Sequence, residues 1–213
     1  MDKTVWQKVA WGSSEYALTI ALRHTLLRAP LGLHFAKEAL ETERDSMHLA
    51  GFDPNGAVRA CLVLRPSVTP SWLEINHESN SYQATIAAPD LQATVAAPGL
   101  QATIAAPDLQ ATIAAPDLQA TVAAPGLQAI VAAPAFHMRQ VAVRQDLQGL
   151  GLGRELMNYA HSWVVANSPV RQVYLHARSP VVGFYENAGY TLYGEPFWEV
   201  GLEHRAMHRF LES

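Results

Sequence analysis

Three glycines at alternate positions, Gly149, Gly151 and Gly153, stand between a strand-like run and a helix-like run. That junction constrains the fold more than any other feature of the chain. Phe136 to Val143 reads as a strand. Beyond the glycines, Leu152, Leu156, Tyr159, Ala160 and Trp163 recur at helical spacing and predict a helix to about Ala166. A strand that turns through glycines into a helix leaves backbone N–H groups unpaired at the helix N-terminus, where the helix dipole adds partial positive charge. Such a place suits a phosphate or pyrophosphate, and glycine lets a ligand come close to the backbone. A tight turn with no ligand would use the same glycines. A Walker loop would need Gly-Lys-Ser/Thr, which the chain lacks. A dinucleotide fingerprint would need Gly-x-Gly-x-x-Gly and an acid ending the next strand, and neither is present.

The second constraint is a nine-residue period. Gln-Ala-Thr-(Ile/Val)-Ala-Ala-Pro-(Asp/Gly)-Leu recurs six times from Gln83 to Phe136, the last copy being degenerate. Ile86, Ile104 and Ile113 go with Asp90, Asp108 and Asp117, whereas Val95 and Val122 go with Gly99 and Gly126. The variable positions thus travel together, as if a block of three copies had been duplicated. Each copy offers a short β-prone piece and a Pro turn, which allows a meander or a small solenoid. Its small side chains bury little apolar area against a backbone entropy of ~1–2 kcal/mol per residue. The expectation is therefore a flexible or weakly ordered β insert over 83–136, inside one domain made of 1–82 and 137–213.

Of the 213 residues only 16% are charged, against an ordinary fraction of ~25%. The insert explains the deficit, because it holds no Lys or Arg and only Asp90, Asp108 and Asp117 as acids. A net charge of −4 gives no footprint for nucleic acid, and no long apolar run suggests a membrane span. Met1-Asp2-Lys3-Thr4 does not open a signal peptide, and a single cysteine, Cys61, sits in an apolar run as a buried thiol. The expected location is the cytoplasm. No Cys, His or Asp cluster has metal-ligand spacing, so no metal is expected.

The flanks read as α/β. Val5 to Ala10 is a strand, and Ser13 or Ser14 caps a helix to about Arg28. Ala36 to Thr42 is a short helix. Met47 to Phe52 and Ala57 to Arg65 are strands around an Asp53-Pro54-Asn55-Gly56 turn. Arg171 to His176, Tyr190 to Tyr193 and Arg205 to Leu211 are strands, and Pro180 to Asn187 is a helix closed by Gly189.

The run Gln148-x-x-Gly151-x-Gly153 between strand and helix resembles the acetyl-CoA-binding motif of the GCN5-related N-acetyltransferases. Gly183-Phe184-Tyr185-Glu186-Asn187-Ala188-Gly189-Tyr190 is similar to that family's "FYEKxGF" segment. Softer likenesses, Leu22-Arg23-His24 to Leu31-Gly32-Leu33 and Glu195-Pro196-Phe197 to His204-Arg205-Ala206-Met207, resemble a bacterial subgroup of small members. The resemblance covers 1–82 and 137–213. It implies a mixed, mostly antiparallel sheet with helices on both faces, splayed between the strands at 136–143 and 171–176. The repeat would then interrupt a strand-to-strand connection near the acceptor mouth.

The resemblance also implies an activity, transfer of acetyl from acetyl-CoA to an amine by direct attack in a ternary complex. A non-catalytic acyl-CoA-binding protein that displays the repeat is the rival. Backbone amides of Gly149, Leu150, Gly151, Leu152, Gly153 and Arg154, with Gln148, would hold the pyrophosphate. The backbone of Gln140, Val141, Ala142 and Val143 would pair with the pantetheine arm. Tyr185 would protonate the departing thiolate. Arg178 stands where many members have an Asn that contacts the cofactor. For the base that frees the amine, Glu199, His204, His176 and His137 are candidates, His204 foremost. Arg23, His24 and Arg28 either line the acceptor site or face solvent. The partner expected is an amine acceptor, with neither nucleic acid nor membrane, and a homodimer is left open.

Overall fold

The computed structural model describes residues 3–68, 70, 94–96, 102–104, 112–114, 120–122, 130–131 and 134–212. Seven strands form one sheet: β1 (Val5–Val9), β2 (Met47–Phe52), β3 (Val58–Val68), β4 (Pro134–Val143), β5 (Gln172–Arg178), β6 (Thr191–Glu199) and β7 (Leu202–Phe210). Their order across the sheet is β1-β2-β3-β4-β5-β7-β6. β1 with β2, β2 with β3, β5 with β7, and β6 with β7 are antiparallel. β4 and β5 are joined by a crossover helix, α3 (Leu152–Asn167), the connection that parallel neighbours require.

Helices cover both faces. On one, Leu156, Met157, Ala160 and Val164 of α3 pack with Tyr185 of α4 (Val182–Glu186) against Leu62, Met138, Leu175 and Met207 of the sheet. On the other, Tyr16 and Leu22 of α1 (Ser14–Arg23) pack against Ala50, Cys61 and Ala142. Cys61 is buried, and burial pushes its thiol up to about 12, so it stays protonated.

Several elements differ in extent from the sequence expectation. Ser13 does cap α1, accepting from Tyr16 N–H at 3.1 Å. The α-helix nevertheless stops at Arg23 and continues as a π turn over His24–Arg28 and a 3-10 turn that closes at Gly32, φ 66°. α2 (Lys37–Glu41) is a single turn. β6 runs through Glu195-Pro196-Phe197 to Glu199, where a loop was expected. A register break between Tyr193 and Phe197 accommodates the proline in this edge strand, where a missing N–H removes no essential ladder bond. β7 accordingly begins at Leu202 rather than Arg205.

The chain divides into two compact units, residues 1–66 with 136–213 and residues 67–135. In the second, Thr94–Ala96, Thr112–Ala114 and Ile130–Val131 form one small sheet, and Ala102–Ile104 with Ala120–Val122 form another. All of these pairs are parallel: Thr94 faces Thr112, Thr112 faces Ile130, and Ala102 faces Ala120. Each partner thus lies two repeats further on, the stacking of a solenoid rather than of a meander. The remaining repeat residues, and with them the expected flexibility of the array, lie outside the described residues.

Candidate active site

The site is built on an irregularity in β4. Gln140 has φ 54°, the left-handed region that a non-glycine residue rarely enters and a strand does not need. One extra residue in a strand reverses the facing of everything after it. Phe136 and Met138 point into the α3 core before Gln140, whereas Val141 and Val143 do so after it, and Ala142 packs on the α1 side. His137, Arg139 and Gln140 are therefore on the α1 face together.

Gln140 is held by a buried ion pair. Its Nε2 donates to Glu43 Oε1 at 2.6 Å, and its Oε1 accepts from Arg23 Nη1 at 2.8 Å. Arg23 Nη1 also meets Glu43 Oε2 at 2.8 Å, with both side chains at most 9% exposed. The Arg23 guanidinium lies over the rings of Tyr16 and Phe35. Arg23 thus neither lines an acceptor site nor faces solvent. His24 stacks on His34. Arg28 does reach the cavity.

That cavity, about 350 Å³, has walls from the π turn, β4, β5, α4 and the β6–β7 hairpin. Along β5 and β7 the residues that avoid the α3 core face it. His176 and Arg178 come from β5, and His204, paired with Arg178, comes from β7. Glu199 joins them from the end of β6. His176 Nδ1 is 3.0 Å from Glu199 Oε2. A carboxylate only accepts, so Nδ1 carries the hydrogen and Nε2 is left as the basic nitrogen. His137 lies 5.1 Å from His176, ring centre to ring centre, and stacks on Tyr174. Phe197 meets the His176 ring edge-on. His204 is buried, with Nδ1 on Leu202 O at 2.9 Å and its ring stacked on Phe197.

Tyr185 enters from α4. The short helix ends in a left-handed Gly189, with Tyr190 N–H returning to Tyr185 O at 3.0 Å, so the motif Tyr185-Glu186-Asn187-Ala188-Gly189 is a helix-stop signal as well. Burial pushes the Tyr185 hydroxyl up to about 12, partly opposed by the Arg178 guanidinium. It lines the cavity with its proton on throughout the neutral range. Arg178 Nη2 donates to Leu27 O at 3.3 Å, tying β5 to the π turn.

The glycine loop adjoins this cavity through Val143 and Gln148. Gly149 and Gly151 have φ 77° and 88°, and an added Cβ at either would meet open space. They are glycines for their backbone angle and leave a concave run of N–H groups before α3, which has no side-chain cap. Gly153 answers a different need, since a Cβ there would lie 3.1 Å from the Phe184 ring. Gln148 donates from Nε2 to Val143 O at 2.9 Å and so fastens the loop to β4. Donors with no acidic side chain among Gln148 to Arg154 fit a pyrophosphate. No group of three or more His, Cys, Asp or Glu side chains placed to hold a metal occurs among the described residues. No helix among them is long and apolar enough to cross a membrane.

The sequence pattern of the acetyltransferase (GNAT) domain matches residues 91–211. The chain belongs to that family. The GNAT fold is seen equally in solved structures. An acyl-CoA N-acyltransferase from Pseudomonas aeruginosa is 14% identical with a TM-score of 0.56, covering 97% of this chain and 99% of its own. An N-acetyltransferase from Lactobacillus plantarum, described as putative, is 14% identical with a TM-score of 0.59, over 99% and 100%. Arabidopsis thaliana NAA60, solved with acetyl-CoA, is 9% identical with a TM-score of 0.58, over 98% and 99%. Among curated proteins no sequence matches. The family makes this GNAT chain an acyltransferase.

Two histidines of the GNAT fold, the half-buried His137 and the buried His161, set an acid limit on it. His137 is held down to about 3 by burial and then by the Arg139 guanidinium, and His161 down to about 4 by burial and then by Arg209. Both stay neutral in the fold but protonate near 6.5 when unfolded. The unfolded state therefore binds more protons below that value, and stability falls as pH falls from about 6.5 toward 4. Each group contributes a slope approaching ~1.4 kcal/mol per pH unit. Urea midpoints at pH 7 and pH 5 check this, and His137→Phe should flatten the dependence; equal midpoints would refute it.

Proposed function

We propose that this protein transfers acetyl from acetyl-CoA to an amine by direct attack. The observation that carries this is the convergence on one cavity of the kinked β4 backbone, Tyr185 and the His176–Glu199 pair, with Gln148 at its edge leading into the Gly149–Gly153 loop. The loop amides from Gly149 to Arg154 receive the pyrophosphate, and Gln140 to Val143 present backbone to the pantetheine arm. Acetyl-CoA supplies the activated acyl group. His176 Nε2 takes a proton from the amine as its nitrogen bonds to the acyl carbon, and Tyr185 gives its proton to the sulfur as the C–S bond breaks. Glu199 fixes the His176 tautomer, and His204 packs the wall through Phe197. Arg178 holds Leu27 beside the cavity and leaves its remaining donors for the donor substrate.

Thiol release from acetyl-CoA across a panel of amines, with mass analysis of the products, tests the reading. Binding of CoA with no transfer to any amine would instead support a non-catalytic acyl-CoA-binding protein. His176→Gln is expected to lower kcat about 10²-fold, and His204→Gln far less. The reverse order would move the base to His204. The reaction needs no nucleic acid or membrane, and a cytoplasmic location suits its acyl-CoA donor.

A further inference from the structure

Among the residues of the cavity wall, Arg139 is placed without an evident structural task. It precedes the kink at Gln140, so it shares the α1 face with His137 and lines the cavity. It is four residues short of Val143, where β4 meets the glycine loop. At ~3.3 Å per residue this sets Arg139 about 13 Å back from the loop, toward the acceptor end. No hydrogen bond, ion pair or ring contact engages its side chain among the described residues.

The other guanidiniums of the wall each have a contact within the fold. Arg178 donates to Leu27 O, and Arg28 lies 5.1 Å over the Phe35 ring. Glu199 is the one carboxylate of the wall among the described residues, and His176 faces it. The charge of Arg139 is felt inside the chamber, since it helps keep the neighbouring His137 neutral. A partly buried guanidinium in a cavity, with no partner among the described residues, is a fork for a planar anion, and an acceptor's second cationic group would be repelled beside it.

We infer that the acceptor is an amine that also carries a carboxylate, and that Arg139 receives this carboxylate. The inference rests on the acetyl transfer proposed above. The carboxylate is a spectator: the amine nitrogen bonds to the acetyl carbon, the thioester C–S bond breaks, the amine proton goes to His176 and the sulfur takes the Tyr185 proton. A small amino acid meets these requirements, with its amino group toward β5 and its carboxylate toward Arg139.

Matched pairs test it: amino acids and their primary amides, each with saturating acetyl-CoA and the full chain. The acid is expected to exceed its amide at least tenfold in kcat/KM. Arg139→Gln should bring that ratio to within about threefold by raising the KM of the acid, and Arg139→Lys should restore part of it. The KM for acetyl-CoA should change less than twofold. Amides used as well as acids, or an Arg139→Gln effect confined to acetyl-CoA, would overturn the assignment. If no amine is acetylated, the transfer itself fails, and the carboxylate site is read by product binding. With CoA present, N-acetylalanine should raise the melting temperature more than N-acetylalaninamide, and Arg139→Gln should abolish the difference. Equal shifts in the unsubstituted protein would overturn the carboxylate site.

Discussion

Phenylalanine in place of Tyr185 is expected to lower kcat by about 10²–10⁴-fold and to leave the KM for acetyl-CoA nearly unchanged. The size follows from what the substitution removes. The Tyr185 ring is 8% exposed, edge-on to Phe184 and Tyr190, and the backbone of its helix is closed by Tyr190 N–H on its carbonyl. Phenylalanine keeps all of that packing and deletes only the hydroxyl, which lines the cavity and meets no protein acceptor among the described residues. A phenol whose proton is held to about 12 cannot serve as a base at neutral pH, but it can donate to a thiolate as that anion forms. An alkaline loss of rate below pH 9 should therefore persist in the Tyr185→Phe enzyme, because Tyr185 is not the group titrating there. Steady-state rates of both forms from pH 6 to pH 9 check both points. A variant within threefold of the original would reduce Tyr185 to a packed aromatic.

What the sequence made legible was local. The glycine loop could be read because backbone geometry demands glycine at Gly149 and Gly151, and because close packing demands it at Gly153. The Gly189 stop and the Ser13 cap are equally short-range, each deciding a helix end within four residues. The site's other half was not legible in this way. Arg23 binds Glu43 20 residues later and Gln140 117 residues later, and nothing at Arg23 itself marks it as a core cation rather than a solvated one. His176 and Glu199 appeared as separate candidate bases, and only the extension of β6 through Pro196 to Glu199 brings the pair together. The kink at Gln140 had one faint signal. The apolar pattern of β4 changes phase, from Phe136 and Met138 to Val141 and Val143. That is the trace an inserted residue leaves in a strand otherwise alternating with period two. The expectation of a base at His204 rests on its place in a segment similar to the family's acceptor-side loop, and such a likeness carries no information on the burial of its ring.

Alanine at Glu43 is expected to destabilise the fold by about 3–5 kcal/mol, the usual result of leaving a buried charge without its partner. Arg23 is fully buried, and its Nε and Nη2 already lack hydrogen-bond partners, so no water can replace the carboxylate cheaply. Equilibrium unfolding in urea measures this, and a loss under 1 kcal/mol would show that the pair is solvated. Gln140→Gly separates stability from function at the same place. Glycine tolerates φ 54° better than glutamine does, which offsets the two lost hydrogen bonds, so the fold should survive. Without the clamp the kink keeps its place but loses its tie to Arg23 and Glu43, so the backbone from Val141 to Val143 is held less firmly where it is proposed to meet the pantetheine arm. The expected outcome is an acetyl-CoA KM raised about tenfold or more, with an unfolding midpoint close to the original. If KM holds while stability drops, the buried Arg23–Glu43–Gln140 cluster serves the core alone. If KM rises in Gln140→Gly and is restored in Gln140→Asn, which can rebuild part of the clamp, the cluster sets the cofactor strand.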